Sequence, residues 1–286
     1  MDDMNFKYAC GVYGYNITRE IDIPGLRIVP IDDNYRRVND AARDLSEFRL
    51  TGIAYLDQPN DDLVFELEAV LSFIERLEVL VTAPILCAGQ NVLEQFPERI
   101  ASHKRHNGGG AMLRADVFSL ESRKDFIEKT LDRLRDQNFC ESTQFRILFF
   151  KCVETFRQRK NFLDTSYFFL FSGLESYCRA VTKDRTSKNA SIPICAALTK
   201  LSFNVYQDRP DELVRAVSTY VHLRNALFHN SDLEVDVDFN GNLVRLKVID
   251  YIFHLGQLVA LSVLKIVGFD DGHINWNSWV DRQAFK

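Results

Sequence analysis

The sequence predicts a mainly α-helical protein in which a helical C-terminal region follows a smaller α+β region. Two observations predict this class. After residue 116 the apolar residues recur mostly at three- and four-residue steps, which is the helical period, whereas short extended runs dominate the chain before Asp61. The composition is that of a folded globular chain, since 46% of the 286 residues are hydrophobic and 26% are charged.

The N-terminal region combines extended runs with helical ones. The extended runs are residues 21–23, 26–31 and 50–56. A Pro24-Gly25 turn separates the first two runs, and a short charged helix is expected before the third. From Asp61 to Val81 the apolar period becomes helical, and Pro84 ends it. We therefore predict an α+β fold for residues 1–115.

A change of composition near residue 110 predicts a domain boundary. The basic segment at residues 103–107 leads into three successive glycines and shows no hydrophobic periodicity. Residues 1–115 carry 12 Lys and Arg against 18 Asp and Glu, whereas residues 116–286 carry 23 against 22. We therefore predict two domains, residues 1–115 and 116–286.

The second domain is predicted to be a helical bundle that a β-hairpin interrupts. Helices are expected at residues 120–137, 143–159, 164–182, 191–203, 210–229 and 249–267. Asn240-Gly241 is typical of a two-residue type I′ turn, and this turn sets the register of the hairpin. The expected pairs are Val237 with Val244 and Val235 with Leu246 on an apolar face, and Asp236 with Arg245 and Glu234 with Lys247 on a charged face.

Composition and motifs exclude several classes of function. The formal charge of −5 disfavours wholesale binding to nucleic acid, so any such site is local. Polar residues interrupt the longest apolar stretch, residues 249–267, and no apolar leader precedes the chain, so we expect a cytoplasmic protein without membrane contact and with free cysteines. The sequence holds no phosphate-binding loop, no nucleophilic serine elbow and no Cys/His metal spacing, so neither a cofactor nor a metal is expected.

One predicted helix carries an unusual polar group. On a helical wheel Arg224 falls in the middle of an apolar arc, where a guanidinium is costly unless it is paired. Asn225 and His229 lie four residues apart on the flank of that arc. In an earlier helix, Glu175 falls among aromatic residues. We expect Glu175 to pair with Arg224, or to bind nearby polar groups, when the two helices pack.

Simpler interpretations stand beside these. A buried Arg–Glu pair can be purely structural, and a histidine at the end of a helix can simply complement the helix dipole. His222 either extends the site or is solvent-exposed. A basic segment either guides RNA or forms a solvated helix face. Its residues are Arg146, Lys151, Arg157, Arg159 and Lys160.

The residues from Arg224 to His229 resemble the RxxxxH motif of HEPN-domain proteins, including the asparagine that commonly follows the arginine. The aromatic helix with Leu174-Glu175 is similar to the first core helix of Apea-like HEPN domains, in which an acid recurs at this place. The resemblance covers about residues 140–268. Residues 1–115 resemble no family that we identify.

The resemblance implies a HEPN-like bundle acting as a metal-independent endoribonuclease, a homodimer in which both RxxxxH motifs face one composite cleft. It implies that RNA is the substrate and that Arg224, Asn225, His229 and Glu175 are catalytic. Family members often act as toxins or phage-defence effectors, so the N-terminal domain is expected to sense a trigger, through an activator or inhibitor, or to set specificity. The alternative is a non-catalytic HEPN-like binding or assembly module in which Arg224 and Glu175 form a structural pair.

Overall fold

The protein is described by a computed structural model that covers residues 6–87, 92–101, 110–114, 119–158, 160, 162–239 and 241–283. These residues form ten α-helices and nine strands, and the chain divides into two compact units. Unit 1 is Met1–Asp132 with Phe156–Lys160, and unit 2 is Arg133–Thr155 with Asn161–Lys286. The mainly helical class with an N-terminal α+β region is as predicted.

Unit 1 is built on an antiparallel sheet. Its strands are Tyr8–Tyr13 (β1), Ile21–Ile23 (β2), Leu26–Pro30 (β3), Glu47–Leu56 (β4), Leu80–Val81 (β5), Ile85–Leu86 (β6) and Arg99–Ala101 (β7). The strand order is β2-β3-β4-β1-β5, with β6 also pairing with β1 and β7 with β4. The three predicted extended runs fall in β2, β3 and β4. Strand β1 was not predicted, because its residues are buried on both faces and do not alternate.

The helices of unit 1 are Tyr35–Ala42 (α1), Asp61–Glu75 (α2) and the first part of Ser122–Arg135 (α3), with a 3₁₀ turn at Val92–Gln95. The Asn60 side chain caps α2 by accepting from the backbone N–H of Leu63. The helix predicted to reach Val81 is shorter, because Arg76 adopts a left-handed conformation with φ 49° and the chain then enters β5.

A buried ionic cluster joins separate parts of unit 1. The Glu75 carboxylate, 1% exposed, lies 2.8 Å from Arg123 Nη1 and 2.7 Å from Arg43 Nη2. Arg123 also donates to the backbone oxygens of Asn16 and Leu113. A buried carboxylate is tolerated when cations and further hydrogen bonds compensate it, and this cluster supplies both.

Unit 1 extends beyond the predicted boundary at residue 115. The ring of Phe73 stacks on Phe126 in α3 with centroids 5.3 Å apart, and it packs against Phe156 at 5.9 Å. The division therefore falls after Asp132, and a later segment returns to the same core. Of the segment that suggested the boundary, residues 102–109 lie outside the described residues.

In its described residues, unit 2 is helical apart from one hairpin and an isolated β-bridge between Tyr206 and Ala216. Its remaining helices are Gln137–Thr143 (α4), Phe145–Arg157 (α5, whose last two residues belong to unit 1), Leu163–Thr182 (α6), Ser191–Lys200 (α7), Val217–Asn230 (α8), Val248–Val267 (α9) and Ser278–Asp281 (α10). The helix predicted at 120–137 is split, because the Asp136 side chain caps a new helix by accepting from Phe139 N–H.

The helix predicted at residues 210–229 begins later, at Val217. Ala216 is extended, with φ −79° and ψ 114°, and Val217 N–H donates to Tyr206 O at 2.8 Å. Tyr206 N–H in turn donates to Arg215 O at 3.0 Å. These bonds to a neighbouring segment replace the helical bonds that the periodicity predicted.

The hairpin of Glu234–Phe239 (β8) and Asn242–Lys247 (β9) has the predicted register at all four pairs. Gly241 has φ +89°, as the turn requires, while Asn240 lies outside the described residues. On the charged face Arg245 donates twice to the Asp236 carboxylate, at 2.8 Å each.

Helix α9 is the central apolar helix of unit 2. By length and composition it is the one helix in the described residues that could cross a membrane. However, 56% of its most apolar 18-residue stretch is buried inside the protein. Leu255, Val259 and Leu264 are each at most 1% exposed. A core helix passes the same test of length and composition, and this burial is what such a helix shows.

Candidate functional site

Helices α6 and α8 pack against each other and set the geometry of the candidate site. The Tyr167 hydroxyl on α6 donates to the backbone oxygen of Tyr220 on α8 at 2.8 Å. Burial raises the pKa of Tyr167 well above its usual value, so the hydroxyl stays a donor. Leu223, one turn further along α8, is fully buried. This contact fixes which face of α8 meets α6.

Glu175 and Arg224 form the predicted ion pair. Arg224 Nη2 donates to Glu175 Oε2 at 2.8 Å, and the two side chains are 22% and 17% exposed, respectively. The other carboxylate oxygen accepts from Arg179 Nε, also at 2.8 Å. Arg179 is tied to the following loop through the backbone oxygens of Asp184 and Ser187. The sequence analysis missed Arg179, although its i, i+4 spacing from Glu175 was a signal for it.

Two aromatic rings enclose the Arg224 guanidinium. Its central carbon lies 5.2 Å from the ring centroid of Phe171 and 5.7 Å from that of Phe228. Arg224 Nη1 donates to Asn225 Oδ1 at 2.9 Å, while Nε is buried without a hydrogen-bond partner among the described residues. Cation–π contacts and a charged partner on one side therefore orient the guanidinium.

The apolar arc around Arg224 is buried within the chain's own fold. Val217, Tyr220 and Leu227 are 3%, 3% and 6% exposed. If the centre of this arc were the subunit interface, a homodimer would also explain an arginine inside it. The structure instead explains Arg224 by its contacts with α6, so the arc itself is not available to a second subunit.

His229 and Asn225 are both exposed on α8. The described residues offer the His229 ring no hydrogen bond, and none joins it to Arg224 or Asn225. His229 is one turn after Asn225 and about 7.5 Å along the helix axis from Arg224. The structure thus brings Glu175, Arg224 and Asn225 into direct contact and leaves His229 accessible beyond them, in the last turn of the same helix.

His222 lies on a different side of α8. Its ring packs edge-on against Phe239 of the hairpin, with centroids 6.2 Å apart, and it is half-buried. His222 therefore lies against the hairpin and is less exposed than the simpler interpretation held. Among the described residues, no hydrogen bond joins it to the site.

The predicted basic segment is not one continuous cationic face. Arg157 pairs with Glu68 at 3.2 Å in unit 1. In unit 2, Lys151 Nζ donates to Ser172 Oγ at 2.8 Å, and burial lowers its pKa. Arg146 lies over the ring of Phe150 at 5.0 Å. Arg159 lies outside the described residues.

A groove beside the motif was not predicted. It has a volume of about 590 Å³ and lies between the start of α6 and the end of α8. Its lining includes Phe162, Asp164, Thr165, Phe168, Phe228 and Ser231. The only sequence signal was the number of aromatic residues around the start of α6, and such a pattern is typical of a helix face turned to the core. In fact Phe162 and Phe168 are 55% and 44% exposed.

No family model, curated protein or solved structure matches this chain. Within the described part of the chain, no group of three or more His, Cys, Asp or Glu side chains is placed to hold a metal ion.

Proposed function

We propose that this protein is a metal-independent endoribonuclease, in which a 2′-hydroxyl of RNA attacks the adjacent phosphate. The single observation that carries the proposal is the setting of Arg224. Glu175, Asn225 and two aromatic rings hold a permanent cation in one orientation, and a histidine is exposed beyond it on the same helix. A fixed cation beside a titratable imidazole is what this reaction needs.

The charges of the cluster favour an anion. Arg179 and Arg224 share the one carboxylate of Glu175, so the group of three retains a net positive charge. Glu175 takes one N–H of Nη2 and Asn225 one of Nη1, and each of these nitrogens carries a second N–H. We propose that these remaining donors bind two phosphate oxygens, as an arginine fork does.

In the proposed reaction His229 moves the protons. The 2′-oxygen bonds to phosphorus while its proton passes to the imidazole, and the bond from phosphorus to the 5′-oxygen breaks. The departing 5′-oxygen takes a proton from a second acid, which we assign to His229 of the partner subunit in a homodimer. The products are a 2′,3′-cyclic phosphate and a 5′-hydroxyl, which balance without any co-reactant. Asn225 positions Arg224 and keeps its amide N–H₂ for the phosphate.

The dimer uses a surface other than the buried arc of α8. Exposed apolar side chains lie at the start of α9 and on β9. Ile249 is 59% exposed, Phe253 is 42% exposed and Leu243 is 71% exposed. We propose that these residues contribute to the interface through which two helical units associate.

From the family resemblance alone we propose that the protein acts as a toxin or phage-defence effector. Unit 1 then serves as the region that receives an activator or inhibitor, or that sets specificity.

The second candidate function is a non-catalytic binding or assembly module. The observation that favours it is the carboxylate of Glu75, which also bridges two arginines, in a buried place where the arrangement is structural. The two candidates differ in what they require of His229. Only the ribonuclease needs an accessible imidazole there.

The deciding experiment incubates the purified protein with matched RNA and DNA oligonucleotides, with and without EDTA. Only RNA is cleaved, because DNA lacks the attacking 2′-hydroxyl. Cleavage persists in EDTA, and mass spectrometry finds a 2′,3′-cyclic phosphate on the upstream fragment. Cleavage of DNA, or cleavage that EDTA abolishes, contradicts the proposed mechanism. The non-catalytic binding or assembly module would then be the favoured function.

A further inference from the structure

We propose that the groove between α6 and α8 binds an unpaired nucleobase of the RNA strand whose phosphate lies at Arg224, and that Asp164 selects bases with an amino group. This inference rests on the proposed function, since it assigns the part of the substrate next to the reacting phosphate.

The first argument is the exposure of the groove's aromatic walls. Phe162, Phe168 and Phe228 are 55%, 44% and 36% exposed, and the rings of Phe168 and Phe228 are 5.0 Å apart. Three exposed phenylalanines in one concavity are costly in water and are typical of a binding site. The volume of about 590 Å³ is in the range of small-ligand pockets.

The second argument is continuity with the cation. Phe228 lines the groove, and its ring also contacts the guanidinium of Arg224. The positive charge of Arg224 therefore lies against one wall of the groove, although Arg224 itself does not line it. A flat apolar ring joined to an anion is the chemistry of a nucleotide, and bases stack on aromatic side chains in single-stranded RNA sites.

The third argument is the polar part of the lining. The Asp164 carboxylate contributes only acceptors, and Oδ1 accepts from Thr165 N–H at 2.8 Å. Such a carboxylate binds the amino groups of cytosine, adenine or guanine and repels the carbonyl oxygens of uracil. It also disfavours a phosphate inside the groove, so the phosphate stays on the Arg224 side.

A purely apolar partner, such as a second copy of this chain, fits these observations less well. An apolar interface would bury the Asp164 carboxylate without a partner, and burying an unpaired charge is costly. The oligomeric state of the variants tests this occupant directly.

The experiment measures binding of fluorescein-labelled C8 and U8 RNA by anisotropy to the full-length His229→Ala protein, which prevents cleavage during the measurement. We expect C8 to bind at least about fivefold more tightly than U8, and more tightly than C8 in duplex with its complement. Adding Phe162→Ala should weaken C8 binding roughly 5- to 150-fold, the range found for the loss of one base–aromatic stack. Adding Asp164→Asn should remove the preference for C8, because an amide can donate to the uracil carbonyl. Phe65→Ala changes a similarly exposed phenylalanine of unit 1, 49% against 55% for Phe162, and should leave binding unchanged.

Two outcomes overturn the inference. One is binding that neither Phe162→Ala nor Asp164→Asn alters while the parent protein cleaves RNA, in which case the proposed function survives alone. The other is a dimer that Phe162→Ala converts to a monomer in sedimentation, which would assign the groove to contact between copies. Conversely, if C8 binds selectively but the parent protein never cleaves RNA, the groove is confirmed as a base-binding site and the proposed ribonuclease activity is contradicted.

Discussion

Arg224 Nη2 lies 2.8 Å from Glu175 Oε2, so an arginine and a glutamate 49 residues apart in sequence hold α6 and α8 together. Both side chains are mostly buried, and the second oxygen of Glu175 is committed to Arg179. Neither arginine has another carboxylate in the described contacts. Glu175 is therefore the one carboxylate that pairs with both arginines in the described contacts. Removing its charge should lower both the stability of the protein and its activity.

The first prediction is that Glu175→Gln destabilises the protein by about 2–3 kcal/mol, below the full cost of a completely buried pair because both partners keep some solvent contact. Chemical denaturation measures this change. Glu141→Gln is the matched control, since Glu141 is exposed and its carboxylate bonds to Gln137 alone in the described contacts. This control should change stability by less than about 0.5 kcal/mol.

A double-mutant cycle shows whether the effect belongs to the pair. We expect Glu175→Gln and Arg224→Met together to cost about 1–2 kcal/mol less than the sum of the single changes. Strict additivity would mean that the two groups contribute independently and would contradict the structural pairing.

The second prediction concerns cleavage of RNA. His229→Ala should lower the rate by roughly 10²–10⁴, because it removes the proton-transfer group. The control is His273→Ala, which changes another exposed histidine far from α8 in sequence and should leave the rate unchanged. Full cleavage by a folded His229→Ala dimer would rule out the proposed chemistry.

Arg224 variants separate charge from geometry. Arg224→Ala should abolish most cleavage, whereas Arg224→Lys keeps the charge without the fork and should recover only part of it. Arg185→Ala removes an exposed arginine and is the matched control. Each variant must match the parent in circular dichroism and sedimentation. A lysine variant as active as the parent would show that the fork plays no part.

The third prediction compares two glycines of unit 2. Gly241 has φ +89° and open space where a Cβ would lie, so Gly241→Ala should cost about 1 kcal/mol through backbone strain alone. Gly256 lies within α9, and an added Cβ would meet Leu170 at an ordinary 3.6 Å. Gly256→Ala should therefore stabilise the protein by up to about 1 kcal/mol. Thermal unfolding that shifts both variants in the same direction would contradict this assignment.

The fourth prediction concerns the cysteines, all six of which are free, as expected. Burial raises the pKa of the Cys10 thiol to about 12, and it raises the pKa of Cys178 further above the usual value. Both therefore contain less thiolate at pH 8 than an ordinary cysteine and should resist iodoacetamide in the folded protein. Mass spectrometry should find Cys87 and Cys195 labelled first, because they are partly exposed. Equal labelling of Cys10 in the native state would contradict its burial.

Features that local patterns determine could be predicted from the sequence. The hairpin register followed from a two-residue turn and alternating charges, and the ion pair followed from Glu175 and Arg224 each standing within an apolar helix face. For the ion pair, burying a charge has an obvious cost, and the neighbouring helix offers one way to offset it. The catalytic roles of Arg224, Asn225, His229 and Glu175 remain predictions.

Features that tertiary contacts determine could not be predicted from the sequence. The start of α8 depends on Tyr206, whose backbone engages Val217 in place of a helical bond. The groove depends on the exposure of Phe162 and Phe168 to solvent. From the sequence, an aromatic residue on a helix is expected to be buried in the core. The boundary at residue 115 was placed by composition, which carries no information about Arg123 reaching Glu75.

That last contact sets an order of events during synthesis. While only residues 1–115 have left the ribosome, the Glu75 carboxylate has Arg43 but lacks Arg123, and the core of Phe73 lacks Phe126 and Phe156. Unit 1 can therefore be completed only after α5 has emerged, when part of unit 2 is already present. The first unit to be made is therefore finished only after residues 133–155 of the second unit have also been made.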